Sequence, residues 1–135
     1  MSVSFELAAQ TMIYTALNGN ISATVFDAVP HLPSGMPDAD FPYVVISDCN
    51  GDPFDNDTDL GQMVHSTLHV WSRAEGMKET KTILGEIYGI LHRGTFALAG
   101  YSLLDSLLED SYAVLDEDGE TRHGVARYRL TIQEA

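Results

Sequence analysis

The residues most suited to chemistry lie between positions 48 and 59, where Asp48, Asn50, Asp52, Asp55, Asp57 and Asp59 offer hard oxygen donors suited to calcium. An EF-hand register beginning at Asp55 fails twice: its sixth position is Leu60 instead of glycine, and its twelfth is Ser66 instead of a bidentate glutamate. A register beginning at Asp48 places Pro53 sixth and Asp59 twelfth and fails as well. The stretch Asp48 to Gln62 is therefore expected to be a hydrated acidic loop without a specific metal. His65 and His69 share one face of an alternating segment, but at strand rise they stand about 13 Å apart, too far to ligate one ion together. They are expected to be surface or interface histidines. No nucleophile elbow and no glycine-rich phosphate loop occurs, so no catalytic residue, metal or cofactor is assigned. Arg122, Arg127 and Arg129 fall in one segment near the C-terminus. They read either as a solvated sheet face paired with acids of a neighbouring strand, or as a positive strip for an acidic partner.

The elements that must position these residues are legible from periodicity. Phe5, Ala8, Ala9, Met12, Ile13 and Ala16 recur at helical spacing, predicting a helix over Ser4 to Leu17 that Asn18, Gly19 and Asn20 end. A short strand is expected near Ala23 to Phe26. Pro30, Pro33, Pro37 and Pro42 with Gly35 predict an irregular, ordered loop. Tyr43 to Ile46 is a continuous β-branched and aromatic run, and Val64, Ser66, Leu68 and Val70 alternate with His65, Thr67, His69 and Trp71, so each predicts a strand. Ile83, Leu84, Ile87, Tyr88 and Leu91 predict a second amphipathic helix from Met77 to His92, with Gly94 at its exit. Leu103 to Leu108 suits either a strand or a helical turn and is read as a strand leading into a hairpin: Ser111 to Leu115, a turn at Asp116 to Gly119, and a last strand from Arg122 to Gln133. The expected fold class is α+β, a mainly antiparallel sheet with both amphipathic helices on one face.

A chain of 135 residues, 44% of them apolar, suits one compact domain over residues 1–135. No apolar run approaches the roughly 20 residues of a membrane span, and the N-terminus lacks the basic and apolar regions of a secretory leader. Assembly in the cytoplasm with no membrane partner is the expectation. Cys49 is alone, so no intrachain disulfide can form, and it is expected to be an incidental loop thiol. The net charge of −13 is uneven: residues 1–72 hold nine acids and no Lys or Arg, whereas residues 73–135 hold eleven acids and seven bases. Tight nucleic-acid binding needs a basic patch, which this balance opposes.

Taken in order, Phe41 to Ile46, Leu68 to Ser72 leading into Gly76 and the helix Lys78 to Leu91, Asp116 to Gly119, Arg122 to Arg129 and the first helix resemble the tail-terminator or tail-completion family of long-tailed bacteriophages and gene transfer agents. The resemblance covers nearly the whole chain and implies a structural virion subunit, not an enzyme. It implies a homohexameric ring at the head-tail junction that ends tail polymerisation, with the tail tube protein and a head-completion or neck protein as partners. DNA would pass through without specific binding, which an acidic lumen favours. A head-to-tail ring needs two different complementary surfaces per copy. The candidates are Arg122, Arg127 and Arg129 against acids such as Asp55, Asp57 and Asp59. One alternative is another head-tail connector of the same fold. A second, of a different class, is a small ligand- or metal-binding or hydrolytic α+β domain, which would show a deep pocket with converging polar groups.

Overall fold

The computed structural model describes residues 4–28, 40–53, 55 and 60–134, with the side chains of 48 and 49 left aside. Helix α1 spans Phe5–Leu17, β1 Thr24–Phe26, β2 Tyr43–Pro53, β3 Gly61–Ser72, α2 Lys78–Leu91, β4 Ala97–Leu98, β5 Tyr101–Leu115 and β6 Arg122–Glu134. The described strands form one six-stranded sheet in the order β1-β2-β3-β6-β5-β4. Among them β1 and β2 pair in parallel, and every other pairing is antiparallel. The expected α+β class and helix placement hold. Most of the expected loop from Pro30 to Pro42 lies outside the described residues.

Both helices start and stop where local chemistry allows. The Ser4 hydroxyl accepts the Leu7 N–H at 3.1 Å, satisfying one of the orphan donors at the start of α1. Gly19 takes the left-handed φ of 80° beyond its end. At the exit of α2, Arg93 and not Gly94 adopts positive φ, at 60°. Gly94 is needed for space, because a Cβ there would meet the Ile90 carbonyl and the Phe96 ring. The Glu86 carboxylate accepts from the Ser22 N–H at 3.0 Å and the Ser22 hydroxyl at 2.8 Å, fastening α2 to the segment before β1.

The alternation read in β3 is realised. Val64, Ser66, Leu68, Val70 and Ser72 are buried beneath the helices, and the intervening residues are half-buried on the other face. From β6, Ala126, Tyr128, Leu130 and Ile132 join that core, meeting Ile13 and Leu17 of α1 and Ile83, Ile87 and Leu91 of α2. A Cβ on Gly124 would come within 2.8 Å of Thr80 Cγ2 and 3.2 Å of Leu84 Cδ1, so glycine there lets α2 approach β6 closely.

The acidic segment departs from expectation. Strand β2 continues to Pro53, pairing Cys49 with Ser66, Asn50 with His65 and Asp52 with Met63 after a bulge between Ser47 and Cys49. Asp48 to Pro53 and Gln62 are thus strand and not loop, and Cys49 is a strand residue. Cross-strand pairing with β3 overrides the turn propensity of Asp, Asn and Gly. The hairpin turn at Asp116 is as expected: Gly119 has a φ of 71°, and the Asp118 carboxylate accepts from the Glu120 N–H, the Thr121 N–H and the Thr121 hydroxyl. Those bonds, the hydroxyl's first, lower the Asp118 pKa to about 2.

Leu68 is wholly buried at the centre of this core. Leu68→Ala is expected to destabilise the fold by about 2–5 kcal/mol through lost transfer energy and a residual cavity. Urea unfolding checks this, with the midpoint falling and the m-value unchanged.

Candidate interaction surface

Strand alternation sets one face of the sheet free of helices. On β3 this face carries His65, Thr67, His69 and Trp71, and the register places them beside Arg129, Arg127, Val125 and His123 of β6. On the far side of β6, Leu107, Asp110, Tyr112 and Val114 of β5 complete the row. The surface mixes aromatic rings with both signs of charge.

Three contacts organise it. Arg127 lies directly across from Asp110, with Nη1 3.2 Å from Oδ2, and the two side chains are 49% and 52% exposed. His65 Nδ1 is 2.8 Å from Glu109 Oε1 and its Nε2 is 3.4 Å from Asp52 Oδ2, so this ring links β2 to β5 across β6. His69 Nδ1 is 2.7 Å from His123 Nε2, a hydrogen bond in which one ring donates and the other accepts. Trp71 stacks on the His123 ring with centroids 3.9 Å apart and planes 4° from parallel. Burial foremost, and then the neighbouring His69, holds His123 below the usual histidine range, with Asp116 opposing.

The candidate site residues separate accordingly. Arg127 and Arg129 share the open face, and Arg127 is paired within its own chain to an acid of the adjacent strand. Arg129 is half-buried, and its Nε donates to no acceptor among the described residues. Arg122 belongs to the opposite face, because it stands an odd number of positions from both. Its Nη1 donates to the Glu120 carbonyl at 2.9 Å at the hairpin turn. The three arginines do not form a single strip. Asp55 closes the β2–β3 connection by accepting the Gly61 N–H at 3.1 Å. Asp57 and Asp59 lie outside the described residues.

Sequence reasoning missed His123, Glu109 and Asp110 as partners. Their signal was present as charge and ring type, but it becomes readable only once the β3–β6 and β5–β6 registers are known. Among the described residues, no three His, Cys, Asp or Glu side chains gather as metal ligands. The grooves against α1 and α2 are lined by none of His65, His69 and His123. Among the described residues no helix is long and apolar enough to cross a membrane.

Residues 6–133 match the family described as tail completion protein gp17. The chain belongs to this family. The tail completion protein gp17 of Bacillus phage SPP1 is 28% identical over 95 residues, which cover 70% of each chain. A chain from the virion of a native gene transfer agent particle superposes with a TM-score of 0.80 at 19% identity, over 96% of this chain and 99% of that one. At that identity the superposition bears on the fold.

The depressed pKa of His123 gives a signed expectation. The unfolded chain takes up a proton at the ordinary histidine pKa and the folded chain only below it. Stability is therefore full above about pH 6.5 and declines as the pH falls towards the folded value. Thermal unfolding midpoints measured from about pH 7.5 to about pH 5.5 should fall, and His123→Gln should flatten that slope. An unchanged slope in the variant would remove His123 from the account.

Proposed function

We propose that this tail completion protein acts as a closed ring, hexameric as the resemblance implies, that caps the tail tube, ends its polymerisation and joins the tail to the head through a neck protein. The single observation that carries the reading is the family match over residues 6–133, which spans nearly all of both the helical layer and the sheet. The geometry supports an assembly role: a broad sheet face bears paired charges and stacked rings, and no catalytic constellation is needed. The charge distribution supports a conduit, since an acidic lumen keeps DNA phosphates from adhering while the genome passes. The match to a tail completion family favours the tail end over a connector elsewhere in the neck.

In this reading Arg127 and Arg129 of the open face meet acids of an adjacent copy or of the tube. Each exposed pair contributes at most about 1 kcal/mol, but a ring repeats the contact at every interface, so small losses accumulate. The double substitution Arg127→Glu with Arg129→Glu removes that attraction and also turns the contact with Asp110 inside the chain into a repulsion. The expected outcome is a folded protein by circular dichroism, with complemented lysates showing overlong tails or tails unattached to heads in the electron microscope. Normal tails on normal heads would leave this face a merely solvated one.

A further inference from the structure

The outer edge of β5 is met only part of the way along. Up to Leu108 the exit of α2 serves it: the Arg93 N–H donates to the Ser106 carbonyl at 2.6 Å, and the Leu108 N–H donates to His92 Nδ1 at 3.0 Å. Past the bulge between Leu108 and Asp110 the register with β6 runs unbroken to Leu115, and the Asp116 N–H donates to the Thr121 carbonyl at 2.8 Å. Backbone groups of an antiparallel strand turn alternately towards and away from the partner strand. Asp110, Tyr112, Val114 and Asp116 therefore bond towards β6, and Ser111, Ala113 and Leu115 present their N–H and C=O groups outwards. Among the described residues nothing receives those outward groups.

The side chains along this open edge are apolar. Tyr112, Val114 and Leu115 are 46%, 45% and 49% exposed, and Tyr88 of α2 is 45% exposed. A groove of about 360 Å³ lies between α2 and β5, with Leu84, Gly85 and Tyr88 on one side and Ser111 and Ala113 on the other. An open row of backbone groups is a template for a further strand. A row with a groove beside it suits strand addition, in which the main chain supplies the bonds and the groove takes every second side chain. A helix or a folded surface laid here would cover the apolar groups and leave the row unmet, so the arrangement selects an extended segment.

Charge narrows the occupant further. Glu109 and Asp110 stand at one end of the open edge, and Asp116, Glu117, Asp118 and Glu120 stand at the turn that ends it. Arg127 meets Asp110, Arg73 and Arg122 lie near the turn and Lys81 lines the groove, which leaves the edge net negative. A second copy has no basic extended segment to offer: residues 1–72 hold no Lys or Arg, and β6, which carries the arginines, is already paired on both edges. We propose that the outer edge of β5 from Ser111 to Leu115 receives an extended segment of a different protein of the particle, which pairs with it as a further strand. That segment is apolar or uncharged at the alternate positions that enter the groove beside Lys81, and it bears Lys or Arg where it passes the acids at the two ends. The inference deepens the reading above by naming the surface that takes a tube or neck protein, and it rests on that reading for the particle but not for the ring.

Photo-crosslinking in assembled particles tests it in the full-length chain. The exposed Tyr112 is replaced by the photoreactive p-benzoylphenylalanine, and particles from complemented lysates are purified and irradiated. Mass spectrometry should find the adduct on a different virion protein, in a segment with apolar residues at alternate positions and Lys or Arg at its ends. An adduct to another copy of this chain, or none in particles that contain the variant, would overturn the contact. A ring seen by electron microscopy in particles that give no adduct would leave the ring standing without the contact, and an adduct without a ring would do the reverse. A second arm uses Ala113→Pro, which removes one outward N–H and no bond to β6, as an edge strand tolerates. Circular dichroism should be unchanged and incorporation into particles should fall at least ~10-fold, whereas Ala113→Ser, which keeps the N–H, should incorporate normally. Should the proline variant fail to fold, Glu117→Lys with Glu120→Lys, both at exposed turn positions, should still lower incorporation by reversing charge at one end of the edge. Undiminished incorporation of a folded Ala113→Pro protein, or of the double lysine variant, would refute the contact.

Discussion

The pairing of β3 with β6 runs without interruption from Gly61 opposite Gln133 to Ser72 opposite Arg122. Because side chains alternate with a period of two, a slip of one residue would turn Val64, Leu68 and Val70 outwards and bring His65, His69 and Trp71 beneath the helices. The core of α1 and α2 tolerates only the observed setting, since buried imidazoles and an indole would lack partners there. Everything else inherits this choice: β2 is aligned on β3, β5 on β6, and the close approach of α2 is possible because the register puts Gly124 beneath Thr80 and Leu84.

That register also decides what the open face can offer. It brings Asp110 opposite Arg127 and Glu109 within reach of His65, so part of the positive charge is met within the chain. Pairs this exposed contribute little to folding, which leaves their partners exchangeable. A side chain bound weakly to its own chain is well placed to turn to a neighbour of higher negative potential. The His69–His123–Trp71 stack is different in kind. It is partly desolvated and geometrically defined, and it stiffens the β3–β6 pair near the hairpin end.

Much of this was legible in the sequence because strong periodicity survives tertiary context. Both helices, the turn at Asp116 and the last strand fall within a residue or two of their expected bounds, whereas β5 runs unbroken from Tyr101 to Leu115 through the two strands expected at Leu103 to Leu108 and Ser111 to Leu115; the β3 alternation identified its buried face correctly. The extension of β2 through Asp48 to Pro53 was not legible, since those residue types favour turns and only their pairing with β3 makes them a strand. Arg122 was grouped with Arg127 and Arg129 by proximity in sequence, although parity alone separates it. His123, Glu109 and Asp110 lie on strands other than those of the residues they meet, so their partnership required a register that composition does not carry. The core face of α1 was legible: of the stripe read from periodicity, Ala8, Ala9, Met12 and Ile13 are buried and Phe5 and Ala16 pack against them.

The sheet edges constrain how copies can meet. An exposed edge strand invites edge-to-edge pairing, and charged side chains at an edge discourage it. Here β5 carries Glu109 and Asp110 along its outer half, and β2 carries Asp52 beyond the short stretch that β1 covers. Joining the two edges would set acid against acid at low separation, which is unfavourable even when water screens it. Sheet continuation between copies is therefore disfavoured at both ends. The helical layer instead leaves Leu7 and Tyr14 of α1 and Tyr88 of α2 exposed, the last beside Lys81.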